Sequence, residues 1–256
     1  MSTHQPTTKT FRIYPAYCFR VSPTWDGWVR LSAADVHALR TEPEFKGQRI
    51  YFHLNHPIRF VCVVGAVVAI DDINFKYTAL TIDDGSGATI ELKIVRQPPN
   101  ADEPDKSNTV INNVNVHSHR GVFEVSVDHQ QVDIGTVIKA KGTISEFRGL
   151  KQVELKRAWI VSTTNEEVQA WEKMATFKKD VLSRPWRLTS AQHKQIVKED
   201  RKREETEKRE QFEYRRKKVA HEKKKKAKKM MLAKLEAKLE SRRPKDERLM
   251  NGSALV

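Results

Sequence analysis

The run IRFVCVVGAVVAIDDINFKYTALTIDDGSGATIELKIV, Ile58 to Val95, decides how the rest of the chain is read. Its first part is an almost unbroken apolar series interrupted by Gly65. That composition suits a long strand buried on both sides, and the glycine predicts a bulge or a sharp coil within it. Two alternating segments follow, with Leu80 and Ile82 on one face of the first and Ile90, Leu92 and Ile94 on one face of the second. Between them, Asp83-Asp84-Gly85-Ser86-Gly87 is turn chemistry. The run therefore reads as a long kinked strand leading into a hairpin.

Working outward, Thr136–Val161 supplies a second pair of alternating segments. Ile138, Ala140, Gly142 and Ile144 alternate with Val137, Lys139, Lys141 and Thr143, and after a turn at Arg148-Gly149, Val153 and Leu155 alternate with Gln152, Glu154 and Lys156. A long coiled first strand, a meander and a closing hairpin predict a mainly β protein with helices, built on a five-stranded barrel of the oligonucleotide-binding (OB) type spanning 58–188. Residues 1–57, rich in aromatics and prolines, read as an extension packed on that barrel, with Ser32 as N-cap of a short helix to Arg40 that turns Val36 and Leu39 inward. The polar stretch Gln97–Arg120, with Pro98, Pro99 and Pro104, falls where such barrels often carry a helix; its front half reads as a mobile insertion, and Gly121–Val127 as a short extra strand.

After the barrel, Glu166–Leu182 has helical spacing of Val168, Trp171, Met174, Ala175, Phe177, Val181 and Leu182, with acids in the first turn and Pro185 just beyond. This stripe is wider than one packed strip needs, so it serves either as core against the barrel or as a surface for a partner helix. Residues 189–256 form a charged tail, partly disordered; Ser190–Glu240 contains no glycine or proline and repeats opposite charges four apart, which predicts a long exposed helix.

Charge is divided unevenly. Residues 1–163 hold 19 Lys/Arg against 17 Asp/Glu, and residues 164–256 hold 28 against 16. The barrel is thus almost neutral and the tail carries the net charge, so strand binding by the barrel alone is expected to be weak and salt-dependent. Cys18 and Cys62 read as free core thiols of a reducing compartment. No apolar run approaches the roughly 20 residues that span a bilayer, and a soluble intracellular protein without membrane association is expected.

Catalytic signatures are missing: there is no HExxH, paired CxxC, GxxxxGK[ST] or GxSxG. His117 and His119 flank Ser118 without a supporting cluster of ligands, and Asp71-Asp72 and Asp83-Asp84 sit at strand ends where turns and caps use carboxylates. The expectation is a binding protein, not an enzyme, with neither cofactor nor metal. Alternation sends Tyr77, Ala79, Glu91, Lys93 and Val95 outward, together with Lys139, Lys141 and Lys156. Barrels of this type bind single strands between the first–second and fourth–fifth strand loops, which here carry Phe75 with Lys76 and Phe147 with Arg148. An aromatic beside a cation suits base stacking with phosphate contact; the alternative is that both phenylalanines plug the barrel ends. The cluster Arg215, Arg216, Lys217, Lys218, Lys223, Lys224, Lys225, Lys226 reads as a nuclear-import signal, a nucleic-acid patch or one face of a solvated helix.

Several segments together resemble the STN-type subunit (suppressor of cdc-thirteen) of the CST telomere-capping complex, in its filamentous-fungal form. They are Tyr14–Phe19 (YPAYCF), Ala34–Arg40 (ADVHALR), Leu54–Ile58 (LNHPI), Ile82–Gly87 (IDDGSG) and Val181–Trp186 (VLSRPW). The resemblance covers about Phe11 to Leu188 and implies an OB fold in a heterodimer with a small OB protein of the TEN type. The partner helix then falls on Val168, Trp171, Met174, Ala175, Phe177, Val181 and Leu182, and the strand-binding loop on Phe147 and Arg148. It also implies binding of single-stranded G-rich telomeric DNA, contacts with the large CST subunit and polymerase alpha–primase, a nuclear location at telomeres, and support of lagging-strand fill-in. Relatives of this kind often continue into paired winged-helix modules, where this chain has its basic helix. The alternative is a subunit like those of replication protein A that serves mainly as an assembly scaffold.

Overall fold

The computed structural model describes residues 11–73, 76–97, 108–119 and 122–253. It contains two units, Met1–Thr189 and Ser190–Val256. The first opens with a 3-10 turn at Ala16–Val21, followed by β1 (Val29–Arg30), α1 (Ala33–Ala38), β2 (Tyr51–His53) and β3 (His56–Ile58). Next come β4 (Phe60–Ile73), β5 (Tyr77–Asp83), β6 (Thr89–Val95), β7 (Val114–His119), β8 (Val122–Val127) and β9 (Gln130–Val132). The unit closes with β10 (Val137–Phe147), β11 (Leu150–Ile160) and α2 (Thr164–Phe177), which runs on through a π-helical turn at Lys178–Leu182. The second unit is a single helix, α3 (Ser190–Ser253).

Closure of the barrel depends on β4. Its first half, Phe60–Ala66, pairs antiparallel with β10, and its second half, Ala66–Ile73, pairs antiparallel with β5. Around the wall the order is β4, β5, β6, β11, β10 and back to β4, with β6 and β11 parallel. This is the OB arrangement that the sequence predicts, with one buried face on every strand: Val61, Val63, Leu80, Ile82, Ile90, Leu92, Ile94, Ile138, Ile144 and Val153 are all buried in one core.

Three details differ from expectation. The first barrel strand begins at Phe60; Ile58 belongs to the hairpin of β2 and β3, opposite Tyr51. The register shift in β4 lies between Val67 and Ala69, not at Gly65. Gly65 has a different task, because a Cβ there would stand 2.5 Å from the Asp83 carbonyl oxygen where the two backbones cross. In place of a helix between the third and fourth barrel strands, β7, β8 and β9 form a three-stranded sheet whose Val114, Val116, Val125, Val127 and Val132 join the barrel core. The expected extra strand at Gly121–Val127 is β8 of this sheet. Most of the expected mobile insertion, residues 98–107, lies outside the described residues.

The N-terminal extension has its own aromatic nucleus. Phe19 packs 5.1 Å from both Trp25 and Phe45 and 5.9 Å from Phe52, ring centre to ring centre. Helix α1 is capped as the sequence predicts, with Ser32 Oγ accepting from Asp35 N and with Val36 and Leu39 buried. The β5–β6 turn also holds the start of α1: Ala33 N donates to Asp84 Oδ2 and Ala34 N donates to Ser86 Oγ. Asp83 and Asp84 also accept from Gly85 N and Ser86 N, so these carboxylates cap a helix and shape a turn. Both cysteines are free and buried.

Candidate nucleic-acid and partner interfaces

The turn joining β10 to β11 puts two successive residues in the left-handed region, Arg148 at φ 51° and Gly149 at φ 81°, as tight hairpins require. It lifts Phe147 into solvent, 58% exposed, with the Arg148 guanidinium 5.1 Å from its ring centre. Phe147 therefore does not plug the barrel. Its register partner Leu150, 69% exposed, extends the apolar tip and was not among the expected site residues. On the outer face of β5 and β6, Lys93 Nζ stands 3.9 Å above the Tyr77 ring. Ala79, expected to be exposed on this face, is buried. Lys76 is exposed at the turn before β5 and its carbonyl accepts from Arg96 N; Phe75 lies outside the described residues.

The remaining cations fall elsewhere on the barrel. Lys139 and Lys141 project from β10, which β11 and β4 separate from the β5–β6 face. The positive charges of Lys139, Lys141 and Arg30 act on Cys62; burial raises its thiol pKa and these charges oppose the rise. Lys156 Nζ donates to Glu154 Oε1, and Arg49 Nη1 stands 2.9 Å from Glu154 Oε2. These two partners, the Lys156 hydrogen bond foremost, hold the Glu154 carboxyl below its ordinary range, and the carboxylate in turn neutralises Lys156 as a phosphate contact. The expected single site is thus three groups: the Phe147–Arg148 tip, the Tyr77–Lys93 face and the β10 cations.

Helix α2 starts at Thr164, two residues earlier than expected, and is capped by Thr163, whose Oγ1 accepts from Glu166 N at 3.3 Å. No residue of α2 is fully buried. Its apolar stripe divides along its length. Phe177 and Val181 pack against the core and Leu182 enters it, while Met174 is half-buried, Ala175 is exposed, and Val168 and Trp171 are 48% and 43% exposed. Trp171 and Met174 also line a cavity of about 270 Å³ between α2 and the wall carrying Arg30, Cys62 and Lys139. On α3 the basic residues Arg215–Lys218 and Lys223–Lys226 are exposed, as are Met231, Leu232, Leu235 and Leu239.

The segments that carried the resemblance meet in space. Asn55 and His56, from the turn of β2 and β3, hydrogen-bond to the backbone of Trp186 and Arg184. Tyr14 packs edge-on against Trp186 at 4.9 Å and its hydroxyl accepts from Leu188 N. Residues 43–252 match the family described as telomere regulation protein Stn1. The chain belongs to the Stn1 family.

Protein stn1 of Schizosaccharomyces pombe (strain 972) is similar to this Stn1-family chain, with 24% identity over 180 residues. That match takes in 70% of this chain and 46% of the relative, so the chain spans about half the length of the curated relative it matches. Among solved structures, a chain of the structure of yeast Stn1 and Ten1 has a similar fold, with a TM-score of 0.51 and 15% identity, over 73% of this chain and 90% of that one. A chain of the S. pombe Stn1–Ten1 complex matches over 61% of this chain and 95% of its own, with 22% identity and a TM-score of 0.44. Among the described residues no helix is long and apolar enough to cross a membrane, and no three His, Cys, Asp or Glu side chains converge as a metal site.

Proposed function

We propose that this chain is a non-enzymatic, single-strand-binding subunit that caps telomeres together with a small OB-fold partner of the Ten1 type. The observation that carries the partner is the unburied half of α2, where Val168, Trp171 and Ala175 stay in solvent on a helix whose far end is anchored in the core. An exposed apolar patch with an aromatic anchor is the kind of surface that buries itself against a partner helix. Single-strand binding is supported by the Phe147–Arg148 tip and the Tyr77–Lys93 pair, each an accessible ring next to a cation. Phe75 adds a ring to this reading, and Lys76, Lys139 and Lys141 add charge.

The exposed Arg215–Lys218 and Lys223–Lys226 clusters suit nuclear import, and membership of a telomere-regulation family supports work at chromosome ends. Contacts with a large third subunit and support of lagging-strand fill-in by polymerase alpha–primase complete the proposal. The test is anisotropy of labelled G-rich telomeric and scrambled single strands against the full chain, with and without a co-expressed Ten1-type protein. Co-elution of the two proteins with preferential telomeric binding is the expected result. Co-elution without strand binding at low salt would leave an assembly scaffold like those of replication protein A, and failure to co-elute would overturn the partner.

A further inference from the structure

The wall formed by β4, β10 and β11 carries an ordered series of rings and cations. Arg59 lies over Trp25 at 4.9 Å and over Phe60 at 4.2 Å; Phe60 packs on Trp28 at 5.2 Å. Lys141 then stands between Trp28 and Trp159, at 5.5 and 5.2 Å, and Lys139 and Arg157 each stand 5.4 Å from Trp159. The series crosses three adjacent strands, because Lys141 is paired with Cys62 of β4 on one side and Arg157 of β11 on the other.

A bulge creates this alignment. The β10–β11 register shifts at Lys141/Gly142, so that Gly142 faces Leu155 and Lys141 faces Arg157 with Lys156 left over. A Cβ on Gly142 would come within 2.3 Å of the Glu154 carbonyl oxygen, so the bulge needs the glycine. Its effect is to send Lys156 and Arg157 outward in succession and to seat Arg157 beside Lys141.

We infer that this wall is a second single-strand nucleic-acid site, separate from the Phe147 tip and the Tyr77–Lys93 face. Three features select that ligand. Among the described residues none of Arg59, Lys139, Lys141 and Arg157 pairs with a carboxylate, which leaves their charge for a polyanion. Rings alternate with the cations, which matches the alternation of base and phosphate along a strand. An acidic peptide would use the charges and leave the ring faces idle, and β10, the middle strand of the wall, is paired on both sides, with β4 and with β11. Beyond Trp159 the series ends in a groove of about 370 Å³ lined by Lys156, Arg157, Trp159, Asn112, Asn113 and Asp128, within the size range of small-ligand clefts.

The inference rests on the reading that the chain binds single strands, and the experiment separates the two. A thymidine 20-mer carrying 5-iododeoxyuridine is photo-cross-linked to the full chain and the adducts are mapped by mass spectrometry. In parallel, the salt dependence of binding is measured for wild type, for Lys141→Gln/Arg157→Gln and for Phe147→Ala/Arg148→Ala. Adducts at Trp28 or Trp159 are expected. The Lys141→Gln/Arg157→Gln variant, which keeps every ring, is expected to bind at least about fivefold more weakly, with a log–log salt slope smaller by about 1.4 from two lost phosphate contacts. Adducts confined to Tyr77, Phe147 and α3, with an unchanged slope in that variant, would overturn the second site and leave the first intact. Displacement of the oligonucleotide by poly-glutamate of equal charge, at equal concentration, would overturn it in favour of an acidic peptide. No binding of any oligonucleotide by wild type at low salt would remove both.

Discussion

Asn55 clasps the backbone of Trp186 from two sides, its Oδ1 accepting from Trp186 N at 2.7 Å and its Nδ2 donating to Trp186 O at 2.8 Å. The same Nδ2 also donates to Arg12 O at 3.1 Å. One buried amide thus ties the segment after α2 to the N-terminal extension. Asn55→Ala is expected to leave a buried N–H and C=O unpaired and to cost roughly 2–4 kcal/mol. Urea unfolding followed by far-UV circular dichroism reads this as a lower midpoint at unchanged slope.

The neighbouring His56 makes stability pH-dependent. Its Nε2 donates to the Arg184 carbonyl at 2.8 Å, which leaves Nδ1 as a bare acceptor in a buried site, with no partner among the described residues. Burial lowers the pKa of His56, and of His53 beside it, below the ordinary value of 6.5. The unfolded chain therefore takes up protons first as the pH falls, and the stabilisation present above about pH 6.5 is lost as the pH drops toward the folded-state values. Thermal melts between pH 7.5 and 5 are expected to show a falling midpoint. His56→Gln, which has no titrating ring, is expected to flatten part of that slope.

At the β10–β11 tip, Phe147→Ala with Arg148→Ala is expected to weaken single-strand binding by about 5- to 150-fold, the range of roughly 1–3 kcal/mol for one stacked base. Both side chains are solvent-facing, so the melting midpoint is expected to hold. An unchanged affinity at low salt would remove the tip from the site.

Along α2, exposure separates two kinds of residue. Val168→Ala with Trp171→Ala is expected to abolish co-elution with the Ten1-type partner and to change the stability of the isolated chain by less than about 1 kcal/mol, as surface substitutions do. Leu182→Ala, in the core at 1% exposure, is expected to cost about 2–5 kcal/mol on its own. Stability loss in both would show that the stripe is packing throughout.

Two glycines hold the barrel where backbones crowd. Gly65→Ala and Gly142→Ala would place a methyl 2.5 Å from Asp83 O and 2.3 Å from Glu154 O. Each is expected to destabilise by roughly 1–3 kcal/mol through forced backbone shifts. Gly142→Ala is also expected to disturb Lys141 and Arg157, which differential amine labelling of Lys141 would detect.

The barrel was legible because every wall strand buries one face, so alternation at Leu80, Ile82, Ile90, Leu92, Ile138 and Ile144 carries the fold directly. The exposed tip at Phe147 was legible for the same reason, through the Arg148-Gly149 turn. The wall of Trp28 and Trp159 was not, because it depends on a bulge that shifts pairing between residues of different strands. Its one local signal is the doublet Lys156-Arg157 breaking alternation between Leu155 and Ala158. The sheet of β7 to β9 had a signal too, in the alternating valines Val114/Val116 and Val125/Val127, but the prolines upstream favoured reading the stretch as insertion. Asn55 and His56 carried no readable role, since their partners lie about 130 residues further along the chain.

Because β4 serves two neighbours, the barrel closes on itself, and its last seam, between β6 and β11, needs only the pairs Val153–Leu92 and Glu154–Lys93. Along β4, β5 and β10, whose two sides are both paired, addition of a foreign strand is removed, together with the sticking together of copies that open borders invite. Whatever those strands grip, they must grip with side chains. Ligand choice can then drift, residue by residue, on the outer faces of an unaltered scaffold, which is a freedom an open sheet would not have.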